Sequence, residues 1–245
     1  AADPLRRFRD AFVITDPDLI YLDGNSLGRQ TKVSAARVKA ALDAEWGDGL
    51  IRGWNGGWFT SPQRVGDKIG RLIGASDGQV VVSDSTTVNL FKLTMAALGA
   101  RPNRTKIVSD TFNFPSDLYV LRGCARVLGN RHALHLIPSS DTVTIEPRAL
   151  HDAIDERTAL VTLSHVAFKS GFLHDMAAVT KRAHAVGALV IWDLCHSVGA
   201  VPMQLDALGV DMAVGCTYKY LNGGPGSPAF LYVRRDLPDK LQSPI

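Results

Sequence analysis

One lysine, Lys219, sits between two tyrosines in the stretch 211–227, DMAVGCTYKYLNGGPGS, and its setting makes it a candidate amine nucleophile. The apolar run 212–214 predicts a short buried strand, after which the chain turns polar and ends in Gly223, Gly224, Pro225 and Gly226. Desolvation at the mouth of such a strand lowers a lysine pKa and frees the amine to attack a carbonyl. A surface lysine beside a flexible turn shows the same local pattern, so its partners have to come from elsewhere in the chain.

Those partners stand where predicted strands end. After Val82, the run Ser83-Asp84-Ser85-Thr86-Thr87 opens a helix, and hydroxyls with free N–H groups there suit a phosphate. An ordinary Ser/Thr cap reads the same. After Ser109, the chain enters another helix through Phe112-Asn113-Phe114-Pro115-Ser116-Asp117. Phe114 offers a ring face to a flat cofactor, with Ser116 and Asp117 as polar contacts; a Pro-initiated helix with an apolar staple is the alternative. Ser164 follows the run 159–163. Asp193 follows the run 188–192, with Cys195 and His196 just beyond. An acid at the end of an apolar strand is costly without a positive partner. A protonated pyridine nitrogen is one such partner, and the acid would hold it protonated so that the ring can act as an electron sink; a carboxylate capping the next turn is the alternative.

A phosphate cradle, an aromatic platform, a strand-end acid and, 26 residues later, a lysine are the parts needed to hold pyridoxal 5′-phosphate. No G-x-G-x-x-G follows a strand and no G-x-x-x-x-G-K-[ST] occurs, so nicotinamide and ATP lack their fingerprints. No metal site is expected: His165 and His174 flank a loop, and His132 and His135 share a predicted strand, none at ligand spacing. Cys195 and Cys216 read as small buried thiols.

The elements that must position these groups alternate in type. Strands are predicted over 79–82, 106–109, 132–137, 159–163, 188–192, 212–214 and 229–233, and helices over 86–98, 115–127, 148–154 and 176–186. This is an α/β chain with a mostly parallel sheet and helices on both faces, whose ligands bind at the carboxyl ends of the strands. Upstream, the pattern predicts a helix over 3–12, a short strand entering a turn over 21–25, a helix over 31–46 and an aromatic loop over 47–59. A helix then runs to residue 73, with Ser61 as its N-cap and Pro62 just inside.

Hydrophobic residues make up 46% of the chain, enough for a real core. A thin net charge of +3 with no basic block argues against nucleic acid as a partner. No apolar run approaches a membrane span. The N-terminal residues show no secretory h-region, and three cysteines fit a reducing, cytoplasmic compartment.

Five stretches, YLDGNSLG, STTVNLF, FNFPSDLY, WDLCHSVGAV and GCTYKYLNGGPGS, in this order, resemble kynureninase, a pyridoxal-phosphate enzyme of the fold type I aminotransferase superfamily. The resemblance implies a large cofactor-binding domain over 46–245, preceded by a segment, 1–45, that contributes to a small domain or a dimer contact. It implies hydrolysis of L-kynurenine or 3-hydroxykynurenine to an anthranilate and L-alanine, by Cβ–Cγ cleavage in a homodimer. By position, Lys219 would join the cofactor's aldehyde, Asp193 would pair with its ring nitrogen, and His196 would lie beside it. Thr86, Thr87 and Tyr218 would serve the phosphate, with Tyr218 assisting proton transfer. Phe114 would stack on the ring from the turn it shares with Pro115, and Ser116, Asp117 and Ser164 would complete the polar shell. Trp58, in the loop WNGGWF, would shape the substrate pocket.

Two departures from the family pattern stand out. The family continues past residue 245 into a small C-terminal domain carrying the arginine for the substrate carboxylate, so a chain ending at Ile245 is expected to bind cofactor poorly. Ala167-Phe168 stands where the resemblance implies a polar residue and a tyrosine. The rival within the fold is a cysteine desulfurase-like or class V aminotransferase enzyme. The desulfurase pattern has a histidine before the lysine and a later nucleophilic cysteine; here Tyr218 precedes Lys219 and no cysteine follows Cys216. The rival outside catalysis is a truncated homologue acting as a dimerisation or binding module.

Overall fold

The structure, a computed structural model, describes residues 3–245. Among them, seven strands form one sheet in the order β1-β7-β6-β5-β4-β2-β3. They are β1 Val80–Val82, β2 Lys106–Asp110, β3 Ala133–Ile137, β4 Thr158–Ser164, β5 Leu189–Asp193, β6 Met212–Gly215 and β7 Phe230–Val233. Strands β6, β5, β4, β2 and β3 run parallel, while β7 is antiparallel to both β6 and β1. The central strands β4, β5 and β6 are buried at every residue, as their largely apolar runs require of a parallel sheet covered on both faces.

Alternation along β5 divides the core. Val190 and Trp192 face a layer that includes Ile69 and Ile73 of α2 (Ser61–Ile73), Leu150 of α5 (Pro147–Ala153) and Val179 of α6 (Met176–Ala185). Leu189 and Ile191 face Leu90 and Leu93 of α3 (Thr86–Gly99) and Leu121 of α4 (Pro115–Val127). Successive side chains of a strand point to opposite faces, so one strand serves both layers.

Residues before the sheet depart from expectation. The stretch 21–25 keeps the expected turn but forms no strand before it: Ser26 N and Leu27 N both donate to the Asp23 carbonyl, and the Tyr21 hydroxyl donates to the Leu27 carbonyl at 2.6 Å. Local bonds satisfy this backbone, leaving Leu22 exposed. The helix over 31–46 is α-helical only as α1 (Lys32–Ala40), then widens into a π-helix over Ala41–Asp48. The aromatic loop contains a 3-10 helix, Leu50–Trp54, and the first helical prediction shortens to a 3-10 helix, Arg6–Ala11. Ser61 is the first residue of α2 instead of its cap; Thr60 precedes it and makes no side-chain cap.

Candidate active site

Asp193 is the last residue of β5, and its apolar strand carries the carboxylate into the interior, where it is 3% exposed. Cys195 N donates to its Oδ1 at 2.8 Å and the Ser164 hydroxyl lies 3.3 Å from its Oδ2. Ser164, the last residue of the neighbouring β4, donates at 2.9 Å to Asn113 Oδ1. The amide of Asn113 is fixed in turn by donation to Ser109 Oγ at 3.0 Å, and its oxygen also accepts from Phe114 N at 2.9 Å. One buried amide therefore sets the start of α4 and, through Ser164, the surroundings of Asp193.

Lys219 follows β6 by four residues and is 6% exposed. Its Nζ lies 2.7 Å from His196 Nε2 and 5.6 Å from the ring centres of both Phe114 and Tyr218. Burial and then the Lys219 charge hold the His196 imidazole below its ordinary pKa, which favours the neutral ring. Burial also pushes the Tyr218 hydroxyl well above the usual phenol range. The backbone around the lysine is gripped from the N-terminal segment: Gly28 N donates to the Tyr218 carbonyl at 2.9 Å. A Cβ at Gly28 would overlap the Lys219 carbonyl oxygen, so only glycine fits there.

These groups share one cavity of about 150 Å³ at the carboxyl edge of the sheet. Asp193, His196, Tyr218 and Lys219 line it together with Phe114, Ser116 and Asp117 from the start of α4. Thr86 and Thr87, in the first turn of α3, line it as well. Asp117 is 2% exposed and its Oδ2 has no partner. Burial, reinforced by the charge of Asp193, pushes its carboxyl well above the ordinary range. His196 Nδ1 is likewise buried without a partner. The cavity thus combines one amine, two carboxyls, unpartnered polar atoms and a helix N-terminus with paired hydroxyls.

Ser164 lies behind Asp193 and does not line the cavity. Pro115 faces a separate hollow of about 360 Å³ with Arg122 and Lys169. Trp58 lies elsewhere too: it lines a wider apolar cavity of about 570 Å³ along α2, and its indole donates to Glu45 Oε2 at 2.8 Å. Phe168 packs edge-on to Phe114 at 5.0 Å and stacks over His196 at 6.3 Å. Sequence reasoning gave no role to Asn113, nor to the buried pair Asp110 and His174, 2.9 Å apart. Asp110 Oδ1 accepts from Phe112 N and Asn113 N, holding the turn that presents Phe114. Asn113 was visible as the polar residue inside FNFPSD; the His174 partnership spans 64 residues and left no local mark. Among the described residues, no group of three or more His, Cys, Asp or Glu is placed to hold a metal ion.

Residues 62–245 match the aminotransferase class-V family, and the chain belongs to it. Within that family it is similar to the kynureninase of Pseudomonas fluorescens, with 48% identity over 250 residues, 100% of this chain and 58% of the relative. It is also similar to the kynureninase of Burkholderia pseudomallei strain 1106a, with 46% identity over 248 residues, 99% of this chain and 58% of the relative. The chain spans a little under three fifths of the length of these relatives. Among solved structures, the apo cysteine desulfurase of Thermococcus onnurineus NA1 superposes with a TM-score of 0.77 at 22% identity, over 93% of this chain and 56% of that one. The cysteine desulfurase CsdA of Escherichia coli superposes with a TM-score of 0.78 at 17% identity, over 98% and 60%. The structural likenesses speak for the fold alone.

Proposed function

We propose that this chain is the large, cofactor-binding part of a kynureninase. In this reading it holds pyridoxal 5′-phosphate and takes part in hydrolysing L-kynurenine or 3-hydroxykynurenine to an anthranilate and L-alanine. The observation that carries the proposal is the single cavity in which a buried lysine meets a strand-end aspartate, in a chain 48% identical to a kynureninase. The residues fit the cofactor on their own chemistry. A cationic ring nitrogen relieves the charge conflict between buried Asp193 and Asp117, and an anionic phosphate suits the N-terminus of α3 with Thr86 and Thr87.

When bound, the cofactor supplies an electron sink for charge developing at the substrate α-carbon. Asp193 fixes a proton at the ring nitrogen, and Ser164 and Cys195 N hold that carboxylate in place. Lys219 Nζ, kept close to neutral His196, takes the proton from the α-carbon and returns it. Tyr218, whose raised pKa keeps it protonated, would serve the phosphate and assist proton transfer. Phe114, which lines the cavity, would offer its face to the cofactor ring, and His196 would bound the site beside Lys219, with Phe168 packed edge-on to Phe114.

The reading extends to a cytoplasmic homodimer acting in tryptophan breakdown and feeding NAD biosynthesis. A thin net charge supports it by disfavouring nucleic acid, and among the described residues no helix is long and apolar enough to cross a membrane. The segment 1–45 is assigned to the small domain or a dimer contact, supported by the absence of any buried residue in α1. Trp58 belongs to the substrate pocket only if that pocket extends into the neighbouring apolar cavity, which it shares with Thr217 and Gly223 beside the lysine turn. The experiment is anthranilate fluorescence after adding L-kynurenine to the protein with pyridoxal 5′-phosphate. Release that vanishes in Lys219→Ala and drops by about a hundredfold or more in Asp193→Ala supports the proposal. Turnover that survives Lys219→Ala ends it.

A further inference from the structure

Two thiols that this mechanism leaves unused lie side by side on the wall of the Lys219 cavity. Cys195 lies two residues past the end of β5 and Cys216 directly follows β6, at neighbouring strand ends whose last paired residues are Asp193 and Val214. The groups are in contact: Cys216 N donates to Cys195 Sγ at 3.2 Å, and Cys216 Sγ lies 3.9 Å from the Cys195 carbonyl oxygen. Both thiols are free and buried, yet both line the cavity, which gives a small oxidant its route. The third cysteine, Cys124, does not line it.

The pair is also chemically unequal. Its hydrogen bond with Cys195, together with the Lys219 charge, holds the Cys216 thiol below its ordinary range. Cys195 is pushed up, first by the same bond and then by burial. Two thiols in contact and of unequal acidity are the arrangement from which disulfides form.

We propose that Cys195 and Cys216 form a peroxide-sensitive dithiol that closes to an intrachain disulfide in the wall of the cavity. The oxidant is hydrogen peroxide. The Cys216 sulfur attacks one peroxide oxygen, the O–O bond breaks and one water leaves. The Cys195 sulfur then attacks the resulting sulfenic acid, the S–S bond forms, the S–O bond breaks and a second water leaves. The dithiol loses two electrons, the peroxide gains them, and the two thiol protons end in the two waters.

Closure has a consequence for the site. Cys195 Sγ lies 3.6 Å from Thr86 Oγ1 at the start of α3, and Cys216 stands three residues before Lys219. Pulling the two sulfurs together shifts both the hydroxyl and the lysine turn, so loading of pyridoxal 5′-phosphate falls. Only this consequence rests on the proposed function; the crosslink itself does not.

The test treats the native chain with dilute hydrogen peroxide, blocks the remaining thiols and maps peptides by mass. The expected result is a peptide pair joined through Cys195 and Cys216, lighter by two hydrogens, with Cys124 alone alkylated and full reversal by dithiothreitol. Phenylarsine oxide, which bridges paired thiols, added beforehand to the unaltered chain is expected to prevent the crosslink. In Cys195→Ala, Cys216 is expected to stop as a sulfenic acid that dimedone traps. Three alkylated thiols after peroxide, a bond to Cys124, or Cys216 oxidised to sulfinic acid with Cys195 still free would overturn the proposal. A crosslink that leaves the cofactor absorbance unchanged would keep the dithiol and refute its effect on the site.

Discussion

Strands β4, β5 and β6 are buried at every residue, whereas the helical turns over Lys32–Ala40 and Ala41–Asp48 bury none. Both regions carry apolar side chains. In the sheet, Ile191 and Trp192 are fully enclosed; before it, Val33, Leu42 and Trp46 are exposed. The difference lies in what covers them: each sheet face is roofed by helices, while the early segment reaches the rest of the chain through narrow contacts such as Gly28 on Tyr218. Every chemically active group of the candidate site hangs from the covered region, whose strands hold Asp193 and the turn carrying Lys219 in fixed relation. The early segment contributes a clasp on that turn.

If the contrast holds, a sheet truncation should dominate all others. Ile191→Ala is expected to cost about 2–5 kcal/mol in denaturant unfolding, because it opens a cavity in a packed layer. Acid should report on the sheet as well. Burial, then the nearby His174, lowers His165 from 6.5 to about 4. A depressed histidine stabilises the fold above its unfolded pKa, and that contribution is lost as pH falls through the folded value. Unfolding free energy should therefore drop by up to about 3 kcal/mol between pH 6.5 and 4, and His165→Leu should remove that part of the slope. An unchanged slope would mean that His165 does not titrate with folding.

Gly28→Ala sharpens the comparison from the other side. The added methyl meets the Lys219 carbonyl and Asn222, so it should cost about 1–3 kcal/mol and speed amide exchange over 20–30 and 217–222 together. Exchange confined to 20–30 would show that the clasp does not hold the lysine turn. Leu42→Ala should shift stability by less than about 0.5 kcal/mol, since Leu42 is 52% exposed.

The sheet was legible because its signals are local. Buried strands read as apolar runs, and α4 starts at Pro115 and ends at Val127 as its proline and spacing predict. Asp193 and Lys219 were legible because a charge at the end of an apolar run needs a reason. The early segment misled for the converse reason. Tyr21 and Leu22 read as a strand but have no neighbouring strand to pair with, while the turn that Asp23-Gly24-Asn25 predicts is present. Trp58 drew notice by its type; its indole donates to Glu45 and its ring lines the apolar cavity along α2. Asn113 was visible as a polar residue but its role was not, because its partner Ser164 lies 51 residues away, and the Asp110–His174 pair stayed hidden across 64 residues.

The central claim is that the Lys219 amine and the Asp193 carboxylate serve the same small aromatic aldehyde, and borohydride capture tests it most directly. The chain is mixed with pyridoxal 5′-phosphate, reduced with borohydride and digested. The account predicts reduced cofactor on the Lys219 peptide, lost in Lys219→Ala and weakened in Asp193→Ala. Label spread over exposed lysines such as Lys39, with none on Lys219, would contradict it.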